Sequence, residues 1–233
     1  MSKRGEVMFD REIKLIGIDN YNKLKNSSIM VIGLGGVGGY VVESLTRAGI
    51  GNIIIIDYDT IDISNINRQI ISNTCNIGMK KVYEWEKRIK LINPNCHVIT
   101  IDKYLTKDNL YDTLDNYKID YIIDACDTIN VKKELIKYTY LNKIGFISSM
   151  GTGNKLDPTK LEITTLDKTS YDPIAKILRK YIKDEKINKK IYVVCSKEQP
   201  KKINEKKISS ISTVPSVAGL LLSSFVINSI INN

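Results

Sequence analysis

A chain of 233 residues that is 42% hydrophobic and 26% charged can bury one full core with a small appended lobe, and lacks the low-hydrophobicity signature of disorder. Lys and Arg outnumber Asp and Glu by 35 to 26, a net charge of +9 that favours polyanionic partners such as nucleic acid, although an AT-rich genome's Ile, Lys and Asn vocabulary explains it equally well. Cys75, Cys96, Cys126 and Cys195 contain no C-x-x-C pair, which argues against structural zinc and a disulfide framework and fits a reducing cytosol.

The first dozen residues carry Arg and Asp and no long apolar run, so no signal peptide is expected. Val214 to Ile231 is the one segment apolar enough to suggest a membrane. Pro215, Gly219 and several serines interrupt it, and it falls short of the roughly 20 apolar residues needed to span. It reads as a buried helix, with no membrane span and a cytoplasmic location expected.

Taken in chain order, Ile29 to Ile32 is a strand ending in a glycine cluster, Val37 to Ala48 has helical spacing, and Ile53 to Ile56 is a second strand. A helix follows from about Gly78 to Leu91, then strands Val98 to Ile101 and Tyr121 to Ile123, a helix Val131 to Leu141 and a strand Gly145 to Ser148. Such alternation predicts an α/β fold, Rossmann-like, with a mostly parallel sheet and helices on both faces. Past Gly151 a C-terminal extension is expected, with a strand Leu161 to Leu166, a helix from about Pro173 to Ile182 and a strand Ile191 to Val194. Ser196 to Ser212, rich in Lys, Glu and Ser, reads as a mobile loop. The expected organisation is an N-terminal helical arm over 1–27, a nucleotide-binding core over 28–155 and the extension over 156–233.

Gly33-Leu34-Gly35-Gly36-Val37-Gly38 follows the first strand and opens the first helix. Glycines there let the backbone approach a ligand closely, and the helix N-terminus presents free N–H groups to phosphate. The alternative is that they only permit close helix-strand packing. Asp57 closes the second strand, where a ribose-binding carboxylate would sit. Asp59, the run Ser64-Asn65-Ile66-Asn67-Arg68-Gln69 and Lys81 come next. Attack on the α-phosphorus of a triphosphate needs cations on its oxygens, and Arg68 with Lys81 suits that clamp better than a dinucleotide would require.

The stretch GLGGVGGYVVESLTRAGIGNIIIIDYDTIDISNINRQ, with Lys81 beyond it, resembles the adenylation core of the ubiquitin-activating-enzyme-like (ThiF, MoeB, HesA) superfamily. The resemblance implies ATP as cosubstrate, with Gly35, Gly36 and Gly38 under the phosphates, Asp57 on the ribose and Asn65, Arg68 and Lys81 on the triphosphate. Asp127, in IIDACDTIN, would hold Mg2+, its plainer reading being a helix N-cap. Arg11, in FDREIKLIG, resembles an arginine that family homodimers insert into the partner's ATP site, its plainer reading being an ordinary surface residue. The catalytic set is therefore expected to be Arg68, Lys81, Asp127 and Arg11, with Gly33 and Asp59 in the nucleotide site.

SSMGTGNKLDPTKLEITTLDKTSYDPIAKILRK and VVCSKEQP resemble the C-terminal half of the tRNA threonylcarbamoyladenosine dehydratases, so the likeness runs from about Phe9 to Ile231. It implies ATP-dependent activation of the threonine carboxylate beside a tRNA anticodon, and ring closure by that side chain's own carbamoyl group. No protein nucleophile is needed, since proximity supplies the rate. The resemblance leaves open a cysteine desulfurase or sulfur-acceptor system as a further partner. The rival reading is an adenylyltransferase for a sulfur-carrier protein. His97 reads as a strand-end residue and Cys195 as packing, and Ser196, Glu198 and Pro200 match the family motif with no chemistry assigned. Lys176, Arg179, Lys180, Lys183, Lys201 and Lys207 are candidates for a tRNA-facing surface, with Tyr171 and Tyr192 as candidate stacking residues.

Overall fold

The computed structural model describes residues 8–203 and 208–232. Two helices, α1 (Asp10–Ile16) and α2 (Ile18–Asn26), precede β1 (Ser28–Ile32). There follow α3 (Gly38–Arg47), β2 (Asn52–Ile56), α4 (Lys81–Ile92), β3 (His97–Ile101) and the short α5 (Leu110–Leu114), which the sequence pattern does not announce. The core closes with β4 (Tyr121–Asp124), α6 (Ile129–Leu141) and β5 (Gly145–Ser149). The extension adds β6 (Leu161–Thr165), α7 (Pro173–Asp184), β7 (Tyr192–Ser196) and α8 (Thr213–Ile231).

All seven strands form one sheet in the order β3-β2-β1-β4-β5-β7-β6, so the extension enlarges the core sheet and builds no separate layer. Every pairing is parallel except β6 with β7. The continuous apolar run of β2 buries Ile53 and Ile55 with α3, α4 and α8 on one face, while Ile54 and Ile56 join α5, α6 and α7 on the other. Burial on both sides is why alternate positions are equally apolar.

Two expectations need correction. The helix expected from Gly78 starts at Lys81, because Gly78 has φ +85° and Lys80 stays extended in an isolated bridge to Thr60. α8 is long and apolar enough to cross a membrane by length and composition, but only one stripe of it is buried. Val214, Ala218, Leu222 and Val226 pack inward while Leu220 is exposed, so it is not buried all round. The two described flanks of the segment read as a mobile loop both meet one residue, and residues 204–207 between them lie outside the described residues. Asn154 accepts the Lys201 N–H at 2.7 Å, donates its own N–H to the Ser209 carbonyl at 2.8 Å, and accepts the Ser209 N–H on its side chain at 2.8 Å. Lys207 lies outside the described residues.

Candidate active site

A cavity of about 510 Å3 lies across the carboxyl ends of β3, β2, β1, β4 and β5. The chain steps from β1 outward to β2 and β3 and then returns to β4 on the other side of β1, and such a switch point is where open α/β sheets bind ligands. The volume is in the range of small-molecule and cofactor pockets.

The glycine loop lines the centre of this cavity. Gly33, at φ +86°, lies against Ala125, and a Cβ would come within 2.9 Å of that residue's backbone. Gly35 and Gly36 line the cavity, and no side chain of their own stands between backbone and ligand. Gly38 does not lie under the phosphates as expected. A Cβ there would meet the Gly33 carbonyl oxygen at 1.8 Å, so this glycine is needed for α3 to pack on the loop, and it is outside the lining. Val37 caps α3 without a side-chain hydrogen bond, so no capping side chain covers the helix start, although the Gly39 N–H is taken by the Gly35 carbonyl at 3.0 Å.

Asp57 holds this loop in place. One carboxylate oxygen accepts the Leu34 N–H at 2.6 Å and the other accepts the Asp59 N–H at 2.8 Å. The buried carboxylate also lines the cavity, where its remaining lone pairs can receive a hydroxyl.

Lys81 opens α4 with a side chain only 4% exposed, its ammonium 2.9 Å from the half-exposed Asp59 carboxylate. Asp59 thus aims a cation at the cavity. Asn65 completes a capping box with Asp62, accepting the Asp62 N–H at 3.0 Å, which fixes the turn leading to Arg68. Arg68 donates to the Ser64 carbonyl at 2.8 Å and to Asn67 Oδ1 at 2.9 Å while lining the cavity. Beside it, Gln69 Oε1 is buried without a hydrogen-bond partner among the described residues, and Gln69 lines the same space. Unshielded glycine backbone and two cations fit a polyphosphate, while the orphaned Gln69 Oε1, an acceptor, calls for a donor such as a hydroxyl.

Asp127 sits between β4 and α6 on the cavity wall. The helix cap is Thr128, and Asp127 receives only a 3.4 Å contact from its hydroxyl among the described residues, so the N-cap reading is wrong. Among the described residues no group of three His, Cys, Asp or Glu side chains could hold a metal by itself. A single carboxylate plus phosphate oxygens is the usual arrangement for Mg2+, and Asp127 fits that pattern.

Sequence reasoning missed the buried charge beneath it. Lys132 on α6 is 1% exposed and donates to Asp124 Oδ2 at 3.0 Å, the Ser148 hydroxyl at 3.2 Å and the Ser149 carbonyl at 2.9 Å. Burial works against its charge, but the adjacent Asp124 carboxylate prevails and holds the ammonium above its usual range. Asp124 also accepts the Ser148 hydroxyl at 2.6 Å and the Cys126 N–H at 3.1 Å. A lysine in a helical pattern reads as solvated, and only the fold reveals its partners.

The remaining expectations divide. Arg11 is exposed on α1 and is not part of its own chain's cavity. Cys195 is buried, and burial followed by the nearby Asp172 pushes its thiol up to about 11, which suits packing. The Ser196-Glu198 motif is a staple: Ser196 Oγ accepts the Glu198 N–H at 3.1 Å, and the Glu198 carboxylate accepts the Leu156 N–H at 3.1 Å and the Asp157 N–H at 2.9 Å. Lys176, Lys180 and Lys183 are exposed along α7, while Arg179 is spent on Thr169. Tyr171 is 59% exposed and Tyr192 37%, the latter with one side of its ring packed on Phe225 at 4.7 Å between centroids.

The ThiF family profile matches residues 9–233. The tRNA threonylcarbamoyladenosine dehydratase of Bacillus subtilis is 39% identical, over 94% of this chain and 92% of that protein. Crystal structures of the Escherichia coli tRNA N6-threonylcarbamoyladenosine dehydratase superpose over 99% of this chain and 96% of theirs. The AMP complex does so with a TM-score of 0.93 at 32% identity, and the ATP complex with 0.92 at 31%. With the glycine loop, Asp57, Arg68, Lys81 and Asp127 gathered around one cavity, the chain belongs to the ThiF family.

Proposed function

We propose that this protein dehydrates threonylcarbamoyladenosine beside the tRNA anticodon in an ATP-dependent reaction that forms the cyclic nucleoside. The observation that carries this reading is a cavity lined by a glycine loop, Arg68 and Lys81 in a chain that aligns with a dehydratase over nearly its whole length. A carboxylate oxygen leaves poorly until it is esterified. One oxygen of the threonine carboxylate attacks the α-phosphorus and pyrophosphate departs. The carbamoyl group then attacks the activated carbonyl, loses a proton and displaces AMP, which carries away that oxygen. Both steps build charge on oxygens that Arg68, Lys81 and the glycine N–H groups face, and such preorganised donors supply much of a catalytic site's effect. Ring closure is intramolecular, so positioning replaces a nucleophile.

Asp127 would hold Mg2+, which supplies charge to offset the triphosphate. The working unit is a homodimer in which Arg11 of one chain reaches its partner's ATP site, and the Lys176, Lys180 and Lys183 face of α7 receives the tRNA backbone. The deciding experiment incubates the protein with ATP and tRNA and follows the nucleosides by mass spectrometry. ATP-dependent loss of one water from threonylcarbamoyladenosine is expected. An unchanged nucleoside, with adenylate forming on a carrier-protein C-terminus instead, would overturn the reading.

A further inference from the structure

The cavity is longer than a nucleotide's phosphates and ribose need. It spans the ends of five adjacent strands, about 19 Å at the usual strand spacing, and the glycine loop, Asp57 and Asp127 occupy only the middle three. At the β3 end Tyr58 and Tyr104 meet edge to face at 4.6 Å beside Leu105, an aromatic and apolar setting suited to a purine. The β5 end has a different character. It is a stretch of main chain, Gly151-Thr152-Gly153, bordered by Ile174 and Ile208.

This stretch is held with unusual care. Lys132 fixes the Ser149 carbonyl from α6. Asp172, at the N-cap of α7, accepts the Gly151 N–H at 2.9 Å, and Lys155 donates to the Gly151 carbonyl at 2.5 Å. Lys155 and Asp172 also pair at 3.8 Å with both side chains 1% exposed. Beyond them, Glu198 holds the Leu156 and Asp157 N–H groups. Removing two ion pairs from water costs several kcal/mol per ion and seldom adds net stability, so their retention points to position. What they position is a pair of main-chain donors: the Thr152 and Gly153 N–H groups have no hydrogen-bond partner among the described residues, and both residues line the cavity. Gly153 also admits Ile208, since a Cβ there would stand 2.1 Å from Ile208 Cγ2.

We propose that the Gly151-Thr152-Gly153 loop is the subsite for the threonylcarbamoyl side chain, its Thr152 and Gly153 N–H groups and Thr152 hydroxyl receiving the carboxylate oxygen that remains on the carbonyl. This rests on the dehydratase reading above. The other oxygen is left to attack the α-phosphorus, next to Asp127 on the neighbouring strand end. When the carbamoyl group adds to the carbonyl, negative charge grows on the held oxygen, and donors already in place stabilise it. Lys155 and Asp172 are positioning residues, because they reach the substrate only through the loop.

The test compares wild type, Thr152→Val and Gly153→Ala for ATP affinity and for kcat and KM on tRNA bearing the modification, with melting curves to confirm folding. Each folded variant should lose about 10-fold or more in kcat/KM for the tRNA while its ATP Kd shifts by less than about 2-fold. Thr152→Val decides the matter if Gly153→Ala does not fold. Unchanged kcat/KM, or an equal loss of ATP affinity, overturns the subsite. A wild-type protein that binds ATP yet leaves the nucleoside unchanged overturns the dehydratase reading itself, and the subsite with it.

Discussion

The Lys81 ammonium lies 2.9 Å from the Asp59 carboxylate, with the lysine side chain almost wholly enclosed and the aspartate 46% exposed. The asymmetry decides what a substitution does. Lys81→Ala leaves a carboxylate that water can reach, so the fold should survive, while a cation lining the cavity is lost. Turnover should fall at least ~100-fold for Lys81→Ala, and likewise for Arg68→Ala. Steady-state rates alongside unchanged melting curves would show this, and near-normal cyclisation by either variant would remove the triphosphate clamp.

Lys132 behaves in the opposite way, because its partner cannot be rehydrated. Asp124 is fully buried, so Lys132→Met strands a carboxylate in the core and should cost ~3–5 kcal/mol of stability. Adding Asp124→Leu should return much of that loss, a non-additivity that urea unfolding of the single and double variants measures. Additive losses would mean that the pair is uncoupled.

These two lysines show how much was legible beforehand. That Gly33, Gly35, Gly36, Asp57 and Lys81 would share one cavity could be read, because strand, turn and helix follow one another closely and the spacing carries the geometry. Lys132, Lys155 and Asp172 could not, since each owes its role to a partner on another element: Lys132 to the ends of β4 and β5, and the Lys155-Asp172 pair to the approach of α7. Gly38 was misassigned for a related reason. A glycine's absent side chain serves a ligand or a packing contact equally well, and only the 1.8 Å approach to Gly33 separates them. Glu198 and Ser196 were visible as a motif whose purpose, stapling the strand end to Leu156 and Asp157, needed the sheet order.

Acid should weaken the α3-α4 contact. Burial alone would raise the Glu43 carboxyl, but its hydrogen bonds from Arg88 and Arg47 prevail and hold it below the ordinary value of 4.5. A depressed carboxyl contributes stability above its unfolded value and loses it as pH falls through the folded one. Glu43→Gln should therefore be about 1–2 kcal/mol less stable than wild type at neutral pH, the gap closing as pH drops below 4.5. Denaturation curves across that range test the sign. A gap that widens in acid would contradict it.

Thiol chemistry separates the cavity from the surface. Cys75 is exposed, whereas burial pushes Cys96 and Cys195 up to about 11, and burial reinforced by Asp124 pushes Cys126 well above the ordinary thiol value. The thiolate is the reactive form, so an alkylating agent at neutral pH should label Cys75 and spare Cys126 although that residue lines the cavity. Peptide mapping after brief labelling would show it, and rapid modification of Cys126 would mean that the cavity wall opens.

The last prediction concerns assembly. Arg11 projects from α1 in the arm ahead of β1, exposed and outside the cavity of its own chain, so any part it plays at an ATP site must be played in a partner's. An arginine supplied in trans adds a charge-assisted contact to phosphate and makes turnover depend on association. Chains carrying Arg11→Ala and chains carrying Lys81→Ala should each be inactive alone. Mixed and allowed to exchange, they form heterodimers in which one site has both defects and the other has neither. Random exchange places half the chains in such dimers, so activity should recover toward roughly a quarter of wild type per total chain. Native mass spectrometry establishes that exchange has occurred. Recovery then assigns Arg11 to the partner's site, whereas an Arg11→Ala protein that is active alone, or proven heterodimers that stay inactive, would overturn the shared-site model.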